Sequence, residues 1–128
     1  MSNIKQVTIN GKAFNIGQAD AQSQKKLLSM LGSRLALVIN QSGIEEVNVS
    51  LLVGNLLSMD ESKFDTVASL VLQRVRIQGS DDPIDLKLFQ NHMTDYFKLV
   101  AEAVKLNMDD FFTFVLEDRN SAIAEVNE

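Results

Sequence analysis

The stretch QVTINGKAFNI, residues 6–16, decides the fold class. Val7 and Ile9 alternate with polar neighbours, and Phe14 and Ile16 do the same beyond Asn10-Gly11. Asn and Gly both tolerate positive φ, which a two-residue type I′ turn demands at its two central positions. The pattern predicts a β-hairpin with strands at about 5–9 and 12–16. A lone hairpin is marginal in water, so the remainder of the chain must cover one of its faces.

That remainder reads as helix. Leu27, Leu28, Leu31, Leu35 and Val38 recur at steps of one, three and four, one apolar stripe on a helix over about 19–39. Asp20 or Ser23 is positioned to cap its start. Gly32 inside it costs about 1 kcal/mol relative to alanine, and close backbone packing is one reason to keep it. VNVSLLVGNLLSM, 47–59, suits a helix over about 45–58, because Val49, Leu52, Val53 and Leu56 follow the 3.6-residue period. Asp60 stands where an N-cap would precede a third helix, with Phe64, Val67, Leu70 and Val71 as its buried face.

RVRIQG then alternates apolar and charged residues, a third short strand near 74–78. QGSDDP, with the single proline Pro83, is a loop. Leu86, Phe89, Met93, Phe97, Val100 and Val104 step by three or four and predict one long helix over about 85–106, ended by Asn107. A last helix, about 109–118, would place Asp109 and Asp110 at its positive end. The expectation is an α+β fold, mostly α-helical: a small N-terminal sheet packed with four or five helices. Residues 1–118 would form a single globular domain, and 119–128 a frayed tail.

Composition narrows the function classes. The net charge of -5 repels phosphate backbones, and Lys25-Lys26 is an isolated basic pair, so no nucleic acid is expected as a partner. With no cysteine, disulfides and thiolate metal sites are excluded. No apolar run is long enough to span a membrane, and the first ten residues lack the apolar core of a signal peptide. A soluble intracellular domain is the expectation.

No catalytic, cofactor-binding or metal-binding residue is expected. His92 is the only histidine and reads as a partly exposed surface residue beside the apolar stripe. Asp81, Asp82 and Asp85, like Asp109 and Asp110, lack the ligand spacing of a calcium loop and read as solubilising or capping acids. The six glycines are scattered rather than gathered into a phosphate-cradling loop, and GxSxG is absent.

What remains is apolar helical surface, concentrated in NMDDFFTFVLEDRN, residues 107–120. Neighbours on a helix differ by about 100°. Phe111 with Phe114 and Val115 would therefore form one face, Phe112 with Leu116 another. Both faces are core, or one of them meets a partner or a second subunit. Geometry requires Phe111 and Phe112 to point apart without saying which is inside. Each uncovered ring would leave on the order of 150–250 Å² exposed.

The order of these pieces resembles the tail assembly chaperones of long-tailed bacteriophages. In that family an aromatic before a long helix, then Leu-Val, then Asn and finally Phe-Phe recur near the C-terminus. Phe89, Leu99, Val100, Asn107, Phe111 and Phe112 stand at those places here. The resemblance implies a non-catalytic chaperone of viral morphogenesis. Such a protein holds the tape measure protein soluble and brings tail tube protein subunits to it. It works in the host cytoplasm and is absent from the mature virion. Partner binding would fall on Phe89, Phe97, Val100, Phe111, Phe112 and Leu116. Exposed apolar faces would also favour a homo-oligomer, and five methionines would adapt to irregular partners. The rival reading is another small α-rich adaptor or regulatory protein, also non-enzymatic.

Overall fold

A computed structural model describes the backbone of residues 4–42, 49–115 and 117, and the side chains of 4–36, 49–115 and 117. Strands β1 (Ile4–Ile9) and β2 (Lys12–Gly17) form the hairpin, with Val7 opposite Phe14 and Ile9 opposite Lys12. Asn10 (φ 51°) and Gly11 (φ 81°) make the turn. A Cβ on Gly11 would meet nothing within 4 Å, so glycine serves the dihedral there rather than the space.

Helix α1 (Ala21–Ser42) follows. Asp20 caps it, its Oδ1 accepting the Ser23 backbone N–H at 2.8 Å. Hydrogen bonds from the Ser23 backbone and hydroxyl hold the Asp20 carboxyl below the ordinary aspartate value. Leu27, Leu31 and Leu35 are buried. Leu28, expected in the same stripe, is 41% exposed: it sits one residue, about 100°, round from Leu27. Val38 lies outside the described side chains. Gly32 has a different explanation from close packing, or none: its nearest non-neighbour would be Leu28 Cδ1 at 3.7 Å, ordinary contact.

Helix α2 (Val49–Leu57) buries Leu52 and Leu56; the first residues of the expected 45–58 helix lie outside the described residues. Helix α3 (Glu61–Val71) buries Phe64, Val67, Ala68 and Val71, with Leu70 half-buried. Asp60 occupies the N-cap position but makes no side-chain cap hydrogen bond. Strand β3 (Val75–Ile77) pairs antiparallel with β2, giving the order β1-β2-β3. Gly17 is where the close approach lies. Its N–H donates to the Arg74 carbonyl at 2.9 Å, and a Cβ there would stand 3.1 Å from Arg74 Cβ and O.

The expected continuous helix over 85–106 is instead two pieces. A 3-10 turn, Leu86–Phe89, is capped by Asp85, whose Oδ1 accepts the Lys87 N–H at 3.0 Å. Asn91 adopts φ 68°, which a continuing helix forbids, and α4 (Met93–Asn107) starts afresh. The break frees Phe89 to enter the core. Its ring stacks on Phe14 at 6.1 Å and meets Tyr96 at 5.4 Å. Tyr96 in turn contacts Phe64 and Phe97, which stack on each other at 4.4 Å. Such pairs contribute about 0.5–1.5 kcal/mol each beyond burial. Met93 and Leu86, expected on the buried stripe, are exposed as a consequence.

Helix α4 is the central element, touching α2, α3, β1 and β2. Leu99, Val100, Ala101, Ala103 and Val104 are all buried along it. The two alanines keep side chains short where neighbours approach from more than one side. After Met108 a fifth helix, α5 (residues 109–115), begins.

Candidate functional site

Asn107 ends α4, as its sequence position suggests, but it also does something spacing alone does not reveal. It is 2% exposed, and its Oδ1 accepts the Ala19 backbone N–H at 2.7 Å and the Gln24 Nε2–H at 3.3 Å. Its own Nδ2 donates to the Ala103 carbonyl at 2.8 Å. Beside it, Gln18 Nε2 donates to the Leu106 carbonyl at 3.2 Å. Three hydrogen bonds thus tie the entry of α1 to the end of α4, and the fourth, to Ala103 within α4, completes the satisfaction of the buried Asn107 amide. A polar residue inside an apolar stripe, immediately before a helix break, is the only sequence signal that could have pointed to this clamp.

The clamp sets the walls of a groove. Ala21, Gln24, Lys25 and Leu28 of α1 face Asp110, Phe111 and Phe114 of α5 across a floor of Asn107 and Met108. The groove holds about 550 Å³ and opens to solvent. Phe114 is 65% exposed, Phe111 half-buried, and Leu28 continues the apolar wall. Lys25 and Asp110 place one charge of each sign on opposite walls. The Asp110 carboxylate accepts the Phe111 N–H at 2.8 Å, as an acid in a first helical turn does.

The six residues expected to bind a partner fall into three groups. Phe111 lines the groove. Phe97 is half-buried against Phe64. Phe89, Val100 and Phe112 are enclosed by the chain's own elements, Phe112 at 3% exposure, so they support the surface from beneath rather than offering themselves to a partner. Leu116 lies outside the described residues. The direction left open between the adjacent phenylalanines is therefore settled: Phe112 points in, Phe114 points out, and Phe111 lies between them, half-buried against the core with one side on the groove. Leu28 and Met108 are groove residues that the sequence reading placed in a buried stripe or on no face, whereas Phe114 shares the face of Phe111 as the helical period required.

The described groove lining carries one lysine, one aspartate and otherwise amide and apolar side chains. Among the described residues no group of acids and histidine could hold a metal ion, and His92 Nδ1 stands 4.0 Å from Asp95 at an exposed helix start. A hollow lined by Ile4, Gly17, Arg74, Arg76, Ser80 and Asp81 is a poor anion site. Its guanidiniums already donate to backbone carbonyls, Arg74 to Gln18 at 3.2 Å and Arg76 to Val75 at 2.7 Å. No described helix is long and apolar enough to cross a membrane.

No curated protein and no solved structure matches the chain. The family model described as "Phage tail assembly chaperone protein, TAC" matches residues 10–118, from the hairpin turn past α5. A match over that much of the chain, enclosing the clamp and both walls of the groove, establishes that the chain belongs to the phage tail assembly chaperone family.

Proposed function

We propose that this chaperone holds the tape measure protein of its phage by seating an amphipathic helix of that protein in the α1–α5 groove. Binding is non-catalytic, takes place in the host cytoplasm, keeps the tape measure protein soluble and leaves it accessible to tail tube subunits. The chaperone then departs before the virion matures. The carrying observation is the groove itself: Leu28, Met108, Phe111 and Phe114 form an apolar trough between two helices, with Lys25 and Asp110 on opposite walls. A helix is about 10–12 Å across with its side chains. It binds such troughs through residues spaced i, i+3, i+4 and i+7. The opposed charges select for a helix carrying an acid on the Lys25 side and a base on the Asp110 side. The net charge of -5 keeps the loaded complex from coalescing.

Co-expression with the tape measure protein tests this reading. The native chain is expected to keep that protein in the soluble fraction and to co-purify with it. Phe114→Glu is expected to abolish both while the chaperone alone remains folded, because Phe114 is already mostly in water. Capture that survives Phe114→Glu would remove the groove from the mechanism. Failure of the native chain to solubilise the tape measure protein would remove the function.

A further inference from the structure

Strand β1 is an edge strand with its outer side unpaired among the described residues. Which backbone groups it offers follows from the ladder. The two-residue turn makes Ile9–Lys12 the hydrogen-bonded pair, and alternation makes Val7–Phe14 and Lys5–Ile16 the next two. The other side of β2 agrees: Ala13 O accepts from Gln78 N and Gly17 N donates to Arg74 O, so residues 13, 15 and 17 face β3. On β1 the N–H and C=O of Ile4, Gln6 and Thr8 therefore all point away from the sheet.

Proteins blunt such an edge with proline, a bulge or an unpaired inward charge. β1 has neither proline nor bulge, since its register with β2 is unbroken over six pairs. Its one charge, Lys5, is already answered by Glu102 at 3.7 Å. Ile4, at the start of the edge, is 71% exposed.

We infer that this edge pairs with the β1 edge of a second copy, antiparallel about a two-fold axis through Gln6, joining two three-stranded sheets into one of six strands. The register is self-complementary. Ile4 faces Thr8 of the second copy, Gln6 faces Gln6, and every outward backbone group finds a partner, about six hydrogen bonds in all. Lys5 falls opposite Val7 rather than opposite its own counterpart, so no like charges meet directly. The two Lys5 side chains become diagonal neighbours, each bringing its Glu102, and the axis gathers two cations and two anions. A one-residue slip would set inward-pointing groups against the edge and lose the hydrogen bonds.

Two substitutions test the assignment in the full chain by sedimentation across a concentration series. Gln6→Pro deletes an outward N–H that the hairpin does not use, and proline is tolerated at such edge positions. It is expected to weaken self-association at least about tenfold, equivalent to about 1.4 kcal/mol, with circular dichroism unchanged. Gln6→Cys places the chain's sole thiol on the axis, where paired Cα atoms about 5.5 Å apart suit a disulfide. Oxidation is expected to give a covalent dimer, while Ser62→Cys, exposed on α3, does not. The disulfide decides the matter if Gln6→Pro fails to fold. A native chain that stays monomeric, or a dimer indifferent to Gln6→Pro with no Gln6→Cys cross-link, overturns the inference. Loss of tape measure capture in Gln6→Pro with self-association intact would assign the edge to an extended partner segment and equally overturn it.

Discussion

The Oδ1 of Asn107 accepts the backbone N–H of Ala19 at 2.7 Å, joining residues 88 positions apart at the point where α1 begins and α4 ends. One side chain therefore closes the fold and sets the groove's walls. Asn107→Leu retains the volume and removes both the acceptor and the donor. The buried Ala19 N–H is left without a partner, and such a group costs about 1–3 kcal/mol. Urea denaturation is expected to show a loss of that size with the slope unchanged. Asn107→Asp keeps the acceptor for Ala19 but, when ionised, sets a carboxylate against the Ala103 carbonyl; it is expected to cost less at low pH, where the neutral carboxyl can donate to Ala103 as the amide does.

Phe112 and Phe114 are expected to differ sharply on truncation. Phe112→Ala empties a site that is 3% exposed and should cost about 3–5 kcal/mol. Phe114→Ala removes a ring that is mostly in water and should stay within about 0.5 kcal/mol. Parallel thermal melts of the two variants read the difference directly. Similar losses in both would mean that α5 packs on the domain through both faces and that the groove is not an open surface.

These cases show what was legible in the sequence. The hairpin, β3 and the stripes of α1, α2 and α3 follow from period and turn chemistry, and the structure has them within a few residues. Phe111 and Phe112 could be told apart in direction but not in destination. Period fixes the angle between neighbours, while the neighbouring elements decide which angle is covered. Asn107 was readable as a helix end and unreadable as a clamp, because its partners Ala19 and Gln24 lie at the other end of the chain and carry no local signature. Leu28 looked like core for the converse reason. A stripe of leucines spans more than the arc its neighbours cover, and the leftover residue becomes groove wall.

Tyr96 gives a spectroscopic check on the aromatic cluster. Partial burial raises its pKa, and the negative charge of Asp65 raises it further. It is the only tyrosine and there is no tryptophan, so phenolate absorbance reports this residue alone. Titration is expected to run at higher pH than in the unfolded chain. The sign for stability follows: the folded state favours the neutral phenol, so its contribution is whole below the unfolded pKa. It is lost as pH rises through the folded value. Asp65→Asn should bring the midpoint part of the way back, leaving the shift due to burial.

The break between the 3-10 turn and α4 is open to a test whose outcomes have opposite signs. Asn91 stands in the middle of a run whose apolar spacing supports an unbroken helix, yet it adopts φ 68°. In an unbroken helix, Asn91→Ala would stabilise by a few tenths of a kcal/mol, and Asn91→Gly would destabilise, following intrinsic propensity. In the structure the order reverses. Glycine occupies the left-handed region without a Cβ penalty, so Asn91→Gly should be neutral or slightly stabilising. Alanine pays for its Cβ there without asparagine's local hydrogen bonding, so Asn91→Ala should destabilise by about 1 kcal/mol. The consequence reaches the core, because the same break delivers Phe89 to Phe14 and Tyr96. A chain pushed toward the unbroken helix must withdraw Phe89 from that stack, and the Tyr96 titration would then shift along with the denaturation midpoint. Stabilisation by Asn91→Ala with an unmoved Tyr96 titration would show that the helix runs through and that Phe89 reaches the core another way.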